Sequence, residues 1–212
     1  DRISKFDKNI NIEINEVKLL FNIKRFNIEA KIVDPKIKFK NNNIDIESIK
    51  SLVSIKSMIK RDFALKNLHI ETKSTDIKKI INLIKLRNNT PQIYILQNRI
   101  KDGNLVAYIK INFDNEGKIK DDYEIDGYVE NGKINLLNNF KLNKIGFSFK
   151  IKENKYDLEN IKLSLNELNS FSKEILLINE NNTINVNGSL SNKIAKLEKD
   201  EISNILRLFS SN

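Results

Sequence analysis

The residues that could do chemistry in this chain are few, and their spacing keeps them apart. Its single histidine, His69, lies between Leu68 and Ile70 in an alternating segment, which places the imidazole on the polar face of a strand. A metal site would need more histidines or carboxylates at ligand spacing. The chain has no cysteine, which excludes disulfides, zinc fingers and thiol catalysis. We therefore interpret His69 as a surface residue.

The clearest group of carboxylates comprises Asp121, Asp122 and Asp126, beside a lysine-rich turn. A bound cation would need oxygen ligands that converge from one loop, whereas alternation spreads these side chains along a strand, so we interpret them as a solubilising patch. Residues 130–133 form a hairpin tip and not a phosphate-binding loop, which would follow a strand and open a helix. No serine lies in a Gly-x-Ser-x-Gly context. We expect no enzyme, no metal site and no cofactor.

Length and charge narrow the choice of partners. The 212 residues suit one domain with a sizeable core, and no apolar run reaches the roughly 20 residues that span a bilayer. Lys and Arg number 37 against 28 Asp and Glu, a net charge of +9, but the lysines are spread evenly among acids. Nucleic-acid binding favours clustered arginines with interleaved aromatics, so we expect no nucleic-acid partner. Weak attraction to an anionic membrane and a merely solvated lysine face both stay open.

The elements that hold these residues are predicted to be mainly strands. Apolar and polar residues alternate over 9–39 and again over 91–190, with tight turns and no long crossover. Asn131-Gly132 is the strongest hairpin signal. Helical spacing is predicted over 48–60, over 77–86 after a cap at Thr75-Asp76, and over 193–209. The predicted fold class is mainly β with a few helices (α+β), built on a long antiparallel meander.

We interpret the chain as one elongated domain over 1–212 and as a segment of a longer protein. Residues 1–90 are expected to form strands and two short helices, 91–190 the antiparallel meander, and 191–212 a terminal helix. One face of the meander is almost entirely Ile, Leu, Phe and Val. Such a face must be covered by helices, by a second sheet or by curling around something apolar. The predicted helices are too short to cover so many long strands.

One set of segments shares a strand rhythm with a known family. The set comprises residues 68–72 with the helix that follows Asp76, then 100–105, 114–119, 128–134, 158–165 and 185–190. Together these segments resemble the AsmA-like family of Gram-negative envelope proteins. The resemblance implies an elongated, strongly bent sheet that forms an open groove with an apolar floor, similar to the bridge-like lipid transfer proteins. It also implies phospholipid as the partner, a location in the periplasm or cell envelope, and an inner-membrane anchor in a segment absent from this chain.

On this hypothesis the chain is a non-enzymatic segment that conducts acyl chains between envelope membranes. Each buried CH₂ contributes roughly 0.8 kcal/mol, so a continuous apolar floor retains lipid, while lysines at the rim meet the head groups. The expected floor residues are Ile109, Ile111, Phe113, Tyr123, Ile125, Val129, Ile145, Phe147, Phe149, Leu163 and Leu165. The alternative is a closed β-sandwich, a surface or adhesion-type module in which the same residues pack in a core without a lipid cavity.

Overall fold

The described residues form an open, antiparallel sheet with three short helices, which confirms the predicted fold class. The structure is a computed structural model that describes residues 10–14, 16–39, 42–87, 90–136, 141–165, 168–180, 183–192 and 203. The alternating segments form strands because each has one apolar face to cover and one polar face to leave in water. The helices lie in the connections between strands.

The described strands are β1 (Ile10–Glu13), β2 (Glu16–Asn22), β3 (Asn27–Val33), β4 (Lys36–Phe39), β5 (Asn42–Ser54), β6 (Leu65–Thr72), β7 (Thr75–Asp76), β8 (Ile100–Asn112), β9 (Glu124–Asn135), β10 (Lys141–Lys152), β11 (Lys155–Leu165), β12 (Leu168–Glu180), β13 (Thr183–Gly188) and β14 (Ser191–Asn192). The described helices are α1 (Ile55–Lys60), α2 (Ile77–Arg87) and α3 (Pro91–Arg99).

The strands follow the order β1-β4-β5-β6-β8-β9-β10-β11-β12-β13 across the sheet. Three of them, β5, β8 and β12, are 13 residues long, more than twice the usual strand length. Each long strand therefore pairs along one edge with two shorter strands. β5 pairs with β4 and then with β3, which has β2 on its outer side; β8 pairs with β7 and β6, and β12 with β14 and β13.

A row of β-bulges crosses β8 to β11. Each of these strands contains one residue with positive φ, namely Gly103 (141°), Asn131 (55°), Lys144 (52°) and Asn160 (54°), and the pairing register shifts beside them. A bulge bends its strand and increases the local twist, so adjacent bulges bend the sheet at neighbouring positions. Asn131-Gly132 therefore lies inside β9, and the hairpin turn predicted there is wrong, although the signal for positive φ at Asn131 is correct.

The helix predicted over 48–60 is wrong in its first half. β5 continues to Ser54, and only Ile55–Lys60 is helical. β5 is hydrogen-bonded on both sides, to β3 and to β6, and these non-local bonds outweigh a local period that is ambiguous in a short apolar run. Ser54 ends the strand and caps α1, because its Oγ accepts a hydrogen bond from the Ser57 backbone N–H at 3.2 Å.

The start of the predicted meander is also wrong, because residues 91–99 form α3. Thr90 caps this helix by accepting a hydrogen bond from the Ile93 N–H at 3.4 Å, and Pro91 occupies its first turn. α2 begins as predicted, with the Lys78 N–H donating to Asp76 at 2.8 Å. Within 191–212, the first two residues form β14, and the predicted terminal helix lies outside the described residues except for the helical Ser203.

Burial is shallow throughout the described sheet. No large side chain in this part of the chain is less than 2% exposed. The described helices make their main strand contacts with β3, β7 and β8. The buried apolar residues, each 4–7% exposed, are Ile46, Ile81, Val106, Ala107, Val129, Ile145 and Ile161.

Candidate functional site

An unbroken row of apolar side chains crosses the sheet from β2 to β13. Residues directly opposite each other in antiparallel strands lie on the same face, so the pairing register defines the row. It spans ten strands, and its nine steps of about 4.8 Å give a length of roughly 43 Å. This apolar ladder consists of Val17, Ile32, Ile49, Ile70, Ile109, Ile125, Ile151, Tyr156, Leu177 and Val186.

Shorter apolar rows flank the apolar ladder on the same face. On the side toward the β2–β3 turn they are Leu19-Ala30-Ser51-Leu68-Ile111 and Phe21-Ile28-Val53. On the other side they are Ala107-Gly127-Phe149-Leu158-Ile175-Gly188 and Leu105-Val129-Phe147. The two glycines leave no gap, because the Phe149 ring and the Ile175 side chain occupy the space of their missing Cβ atoms. The face is thus apolar over several adjacent rows.

Six of the residues predicted to line a floor share this face by register. Ile109 and Ile125 belong to the apolar ladder, and the flanking rows contain Ile111, Val129, Phe147 and Phe149. The Phe147 and Phe149 ring centroids lie 6.3 Å apart. Val129 is only 6% exposed, so its side chain is packed among its neighbours and offers almost no free surface to a ligand.

The other five predicted residues lie away from the continuous rows. Phe113 packs against Phe63, with ring centroids 5.7 Å apart, and Tyr123 precedes β9. The remaining three lie beyond the bulges, where the register shifts interrupt the rows. Among them, Ile145 pairs with Gly132 and is 6% exposed, while Leu163 pairs with Ser170 and Leu165 with Leu168.

Sequence reasoning missed eight members of the apolar ladder. Four of them lie on β2, β3, β5 and β6, in the half of the chain that was predicted less completely, and four lie on β10 to β13. Their signal is the same alternation of apolar and polar residues that identified Ile109 and Ile125. Only the pairing register shows that all of these positions meet in one row.

Every member of the apolar ladder keeps part of its surface exposed. Eight are half-buried, and the two at the ends, Val17 and Val186, are 50% and 66% exposed. Exposed contiguous apolar surface on this scale marks a site of interaction rather than an ordinary protein surface. Over these rows the face therefore offers a long, shallow contact area whose directional hydrogen-bonding groups are the hydroxyls of Tyr156 and Ser51.

The opposite face bears a parallel row of charged side chains. This row follows the pairing register from β2 to β11 and consists of Lys18, Lys31, Lys50, His69, Lys110, Glu124, Lys152 and Lys155. Glu124 accepts a hydrogen bond from Lys152 at 3.2 Å and lies 3.6 Å from Lys110, and these cations hold the pKa of Glu124 below its ordinary value. His69 is exposed in this row, as predicted.

A depression of about 210 Å³ opens on the charged face around His69. Lys50 and Lys110 line it together with the acids Glu71 and Asp126, so its charges are mixed. Glu71 accepts a hydrogen bond from Ser48 at 3.2 Å. In the part of the chain that the structure describes, no three His, Asp or Glu side chains come together as a metal site. None of the described helices has the length and apolar character to cross a membrane.

The fold and this face together define a class of protein: an open antiparallel sheet with one apolar and one charged face. No family model, no curated protein and no solved structure matches the chain. The resemblance to the AsmA-like family accordingly rests on the sequence segments named above.

Proposed function

We propose that the chain is a non-enzymatic lipid-binding segment whose apolar face holds phospholipid acyl chains. The proposal rests on one observation, the apolar ladder that crosses ten strands without a buried member. Its length of roughly 43 Å exceeds the thickness of one lipid leaflet, about 15 Å or half of a hydrocarbon core. Acyl chains gain free energy in proportion to the apolar area they cover and need no specific partner, so a long face of this kind suits sliding lipid.

The charged face supports the same proposal. Its row contains six lysines, four of them exposed, and one acid, Glu124, so the sheet has one side for lipid and one for solvent. The AsmA-like resemblance adds two parts to this proposal. They are a location in the periplasm or cell envelope and the transport of lipid between two membranes. The alternative adhesion module requires two sheets that face each other, and the described strands pair in one sheet, which favours the lipid proposal.

Lipid extraction from the purified chain tests this function. We expect phospholipid to co-purify with the wild-type chain and to be detected by mass spectrometry. Ile125→Asp places a carboxylate in the middle of the apolar ladder, where an ionised group in hydrocarbon costs about 3 kcal/mol, or roughly a hundredfold in affinity. The matched control is Tyr128→Asp, three residues along β9 and opposite Ser148 on the charged face.

The two variants separate the proposal from its alternative. Loss of bound phospholipid in Ile125→Asp, with an unchanged far-UV circular dichroism spectrum and retained lipid in Tyr128→Asp, supports the open face. A wild-type chain free of lipid contradicts the proposal. Unfolding of Ile125→Asp alone would instead indicate that Ile125 belongs to a closed core.

A further inference from the structure

The two most exposed large apolar side chains of the described chain, Ile23 and Ile59, lie on neighbouring segments at one end of the sheet. The β2–β3 turn contains Ile23 and Phe26, which are 81% and 58% exposed. The adjacent helix α1 contains Met58 and Ile59, which are 53% and 73% exposed. Isolated exposed apolar residues are common, but four large ones on two neighbouring short segments form a patch.

The turn and the helix are joined by backbone hydrogen bonds, so the patch is one unit. The Ile55 N–H donates to the Phe26 carbonyl at 3.0 Å, and Asn27 pairs with Ser54. The turn itself is closed by the Phe26 N–H, which donates to the Ile23 carbonyl at 3.3 Å. The two segments that carry these apolar side chains are therefore held side by side.

Five cations lie in or next to the same two segments. All of them are exposed, namely Lys24, Arg25, Lys56, Lys60 and Arg61. Within the described part of the chain, none of them has an acidic group within 4.0 Å. Asp62 is the one acid in the two segments 23–26 and 55–62, which leaves them with a net charge of +4.

We propose that the turn 23–26 together with residues 56 and 58–61 is a docking tip for an anionic lipid bilayer. Apolar side chains would enter the boundary between head groups and acyl chains, while the surrounding lysines and arginines meet lipid phosphates. The insertion is shallow, because the backbone groups of a hairpin turn need water or head-group partners and cannot lie in the hydrocarbon core. Charge complementarity selects an anionic membrane as the partner.

This inference is independent of the proposed lipid-binding face. The docking tip uses residues at the end of the strands, none of which belongs to the apolar ladder. Phe21, in the apolar row nearest this end, is itself 65% exposed. Vesicle binding tests the docking tip, whereas co-purified lipid tests the apolar face. Either proposal can therefore be refuted while the other stands.

Vesicle flotation provides the test. The wild-type chain is mixed with phosphatidylcholine vesicles that contain or lack phosphatidylglycerol, and we expect binding to the anionic vesicles alone. Removal of two cations in Lys24→Ser/Lys60→Ser lowers binding about 25-fold, since each basic residue contributes about fivefold. Ile59→Ser lowers it about tenfold by removing inserted apolar surface. The matched controls are Lys101→Ser/Lys173→Ser and Ile184→Ser, exposed positions outside the docking tip.

Insertion depth is measured directly, because the chain has no cysteine. A polarity-sensitive dye on the Ile23→Cys variant should shift to the blue on anionic vesicles and be quenched by brominated acyl chains. The same dye on the Lys101→Cys variant should not respond, because Lys101 lies at the start of β8 and outside the docking tip. A shift at both positions, or at neither, contradicts the proposal.

Other outcomes also overturn the docking tip. The proposal is contradicted if the wild-type chain binds neither kind of vesicle, or if the control variants lose as much vesicle binding as the docking-tip variants. It is also contradicted if the Ile23→Ser and Ile59→Ser variants both bind anionic vesicles as well as the wild type. Binding to soluble heparin as tight as binding to anionic vesicles would identify a general polyanion site instead of a bilayer site.

Discussion

Two glycines on neighbouring strands make a sharp test of the sheet register. Gly127 on β9 lies opposite Phe149 on β10, and a Cβ added to it would overlap the Val106 carbonyl oxygen and lie 2.6 Å from Phe149 Cζ. A Cβ added to Gly146 on β10 would have the Val129 carbonyl oxygen at 3.5 Å as its nearest neighbour, an ordinary contact. Neither glycine has a positive φ, so the two positions differ in space and not in backbone strain.

Gly127→Ala should therefore destabilise the chain, and Gly146→Ala should not. Overpacking typically costs about 1–3 kcal/mol, and the upper end applies to Gly127 because a backbone carbonyl of β8 cannot rotate away. An alanine that fits can stabilise by about 0.4–1 kcal/mol, since it reduces the freedom of the unfolded chain. At about 2–4 °C per kcal/mol for a chain of this size, a difference near 3 kcal/mol separates the two midpoints by about 6–12 °C.

Thermal and urea unfolding of both variants, followed by far-UV circular dichroism, measure this difference. Equal midpoints for Gly127→Ala and Gly146→Ala would refute the reasoning, because they would mean that Phe149 and the Val106 carbonyl do not lie over Gly127. The register that defines the apolar ladder would then be wrong at its centre.

Two further predictions concern packing and pH. Ile161→Ala should lower the free energy of unfolding by about 2–4 kcal/mol, because Ile161 is 5% exposed and its truncation leaves a cavity. Ile184 is 63% exposed, so Ile184→Ala should change the free energy of unfolding by no more than about 0.5 kcal/mol in the same assay. The backbone N–H groups of Lys118 and Glu116 donate to the Asp114 carboxylate and hold its pKa below the ordinary value. The ionised carboxylate therefore stabilises the turn fully above the ordinary pKa of Asp. This stabilisation is lost as the pH falls through the lowered pKa of Asp114. Amide exchange of Lys118, compared below and above about pH 4, should show the turn loosening in the wild type and no such pH step in Asp114→Asn.

The strands of the second half of the chain could be predicted from sequence because their pattern is local. Ile109 and Ile125 alternate with polar neighbours, and alternation alone places them on one face. The extent of the apolar ladder could not be predicted in this way. Its register depends on hydrogen bonds between strands far apart in sequence, and isoleucine recurs so often that many registers would look equally apolar.

Local signals misled the prediction where non-local pairing decided the structure. Ile49 to Val53 fit a helical period, but β3 and β6 on either side complete their hydrogen bonds as a strand. Asn131-Gly132 correctly indicated a positive φ, yet a bulge needs that conformation as much as a turn does. Thr90-Pro91 was a valid helix start, and the strand pattern that follows α3 obscured it.

The direction of the apolar rows determines how lipid would move on this sheet. Side chains in a row lie about 4.8 Å apart across the strands, whereas apolar residues on one strand recur only every two residues, about 6.8 Å apart. An acyl chain that crosses the strands therefore meets the more continuous surface, and it would reach the sheet edges at Val17 on β2 and Val186 on β13. Because β2 leads directly into the docking tip at 23–26, the two proposals together favour entry of lipid at the β2 edge, beside the membrane to which the tip would bind.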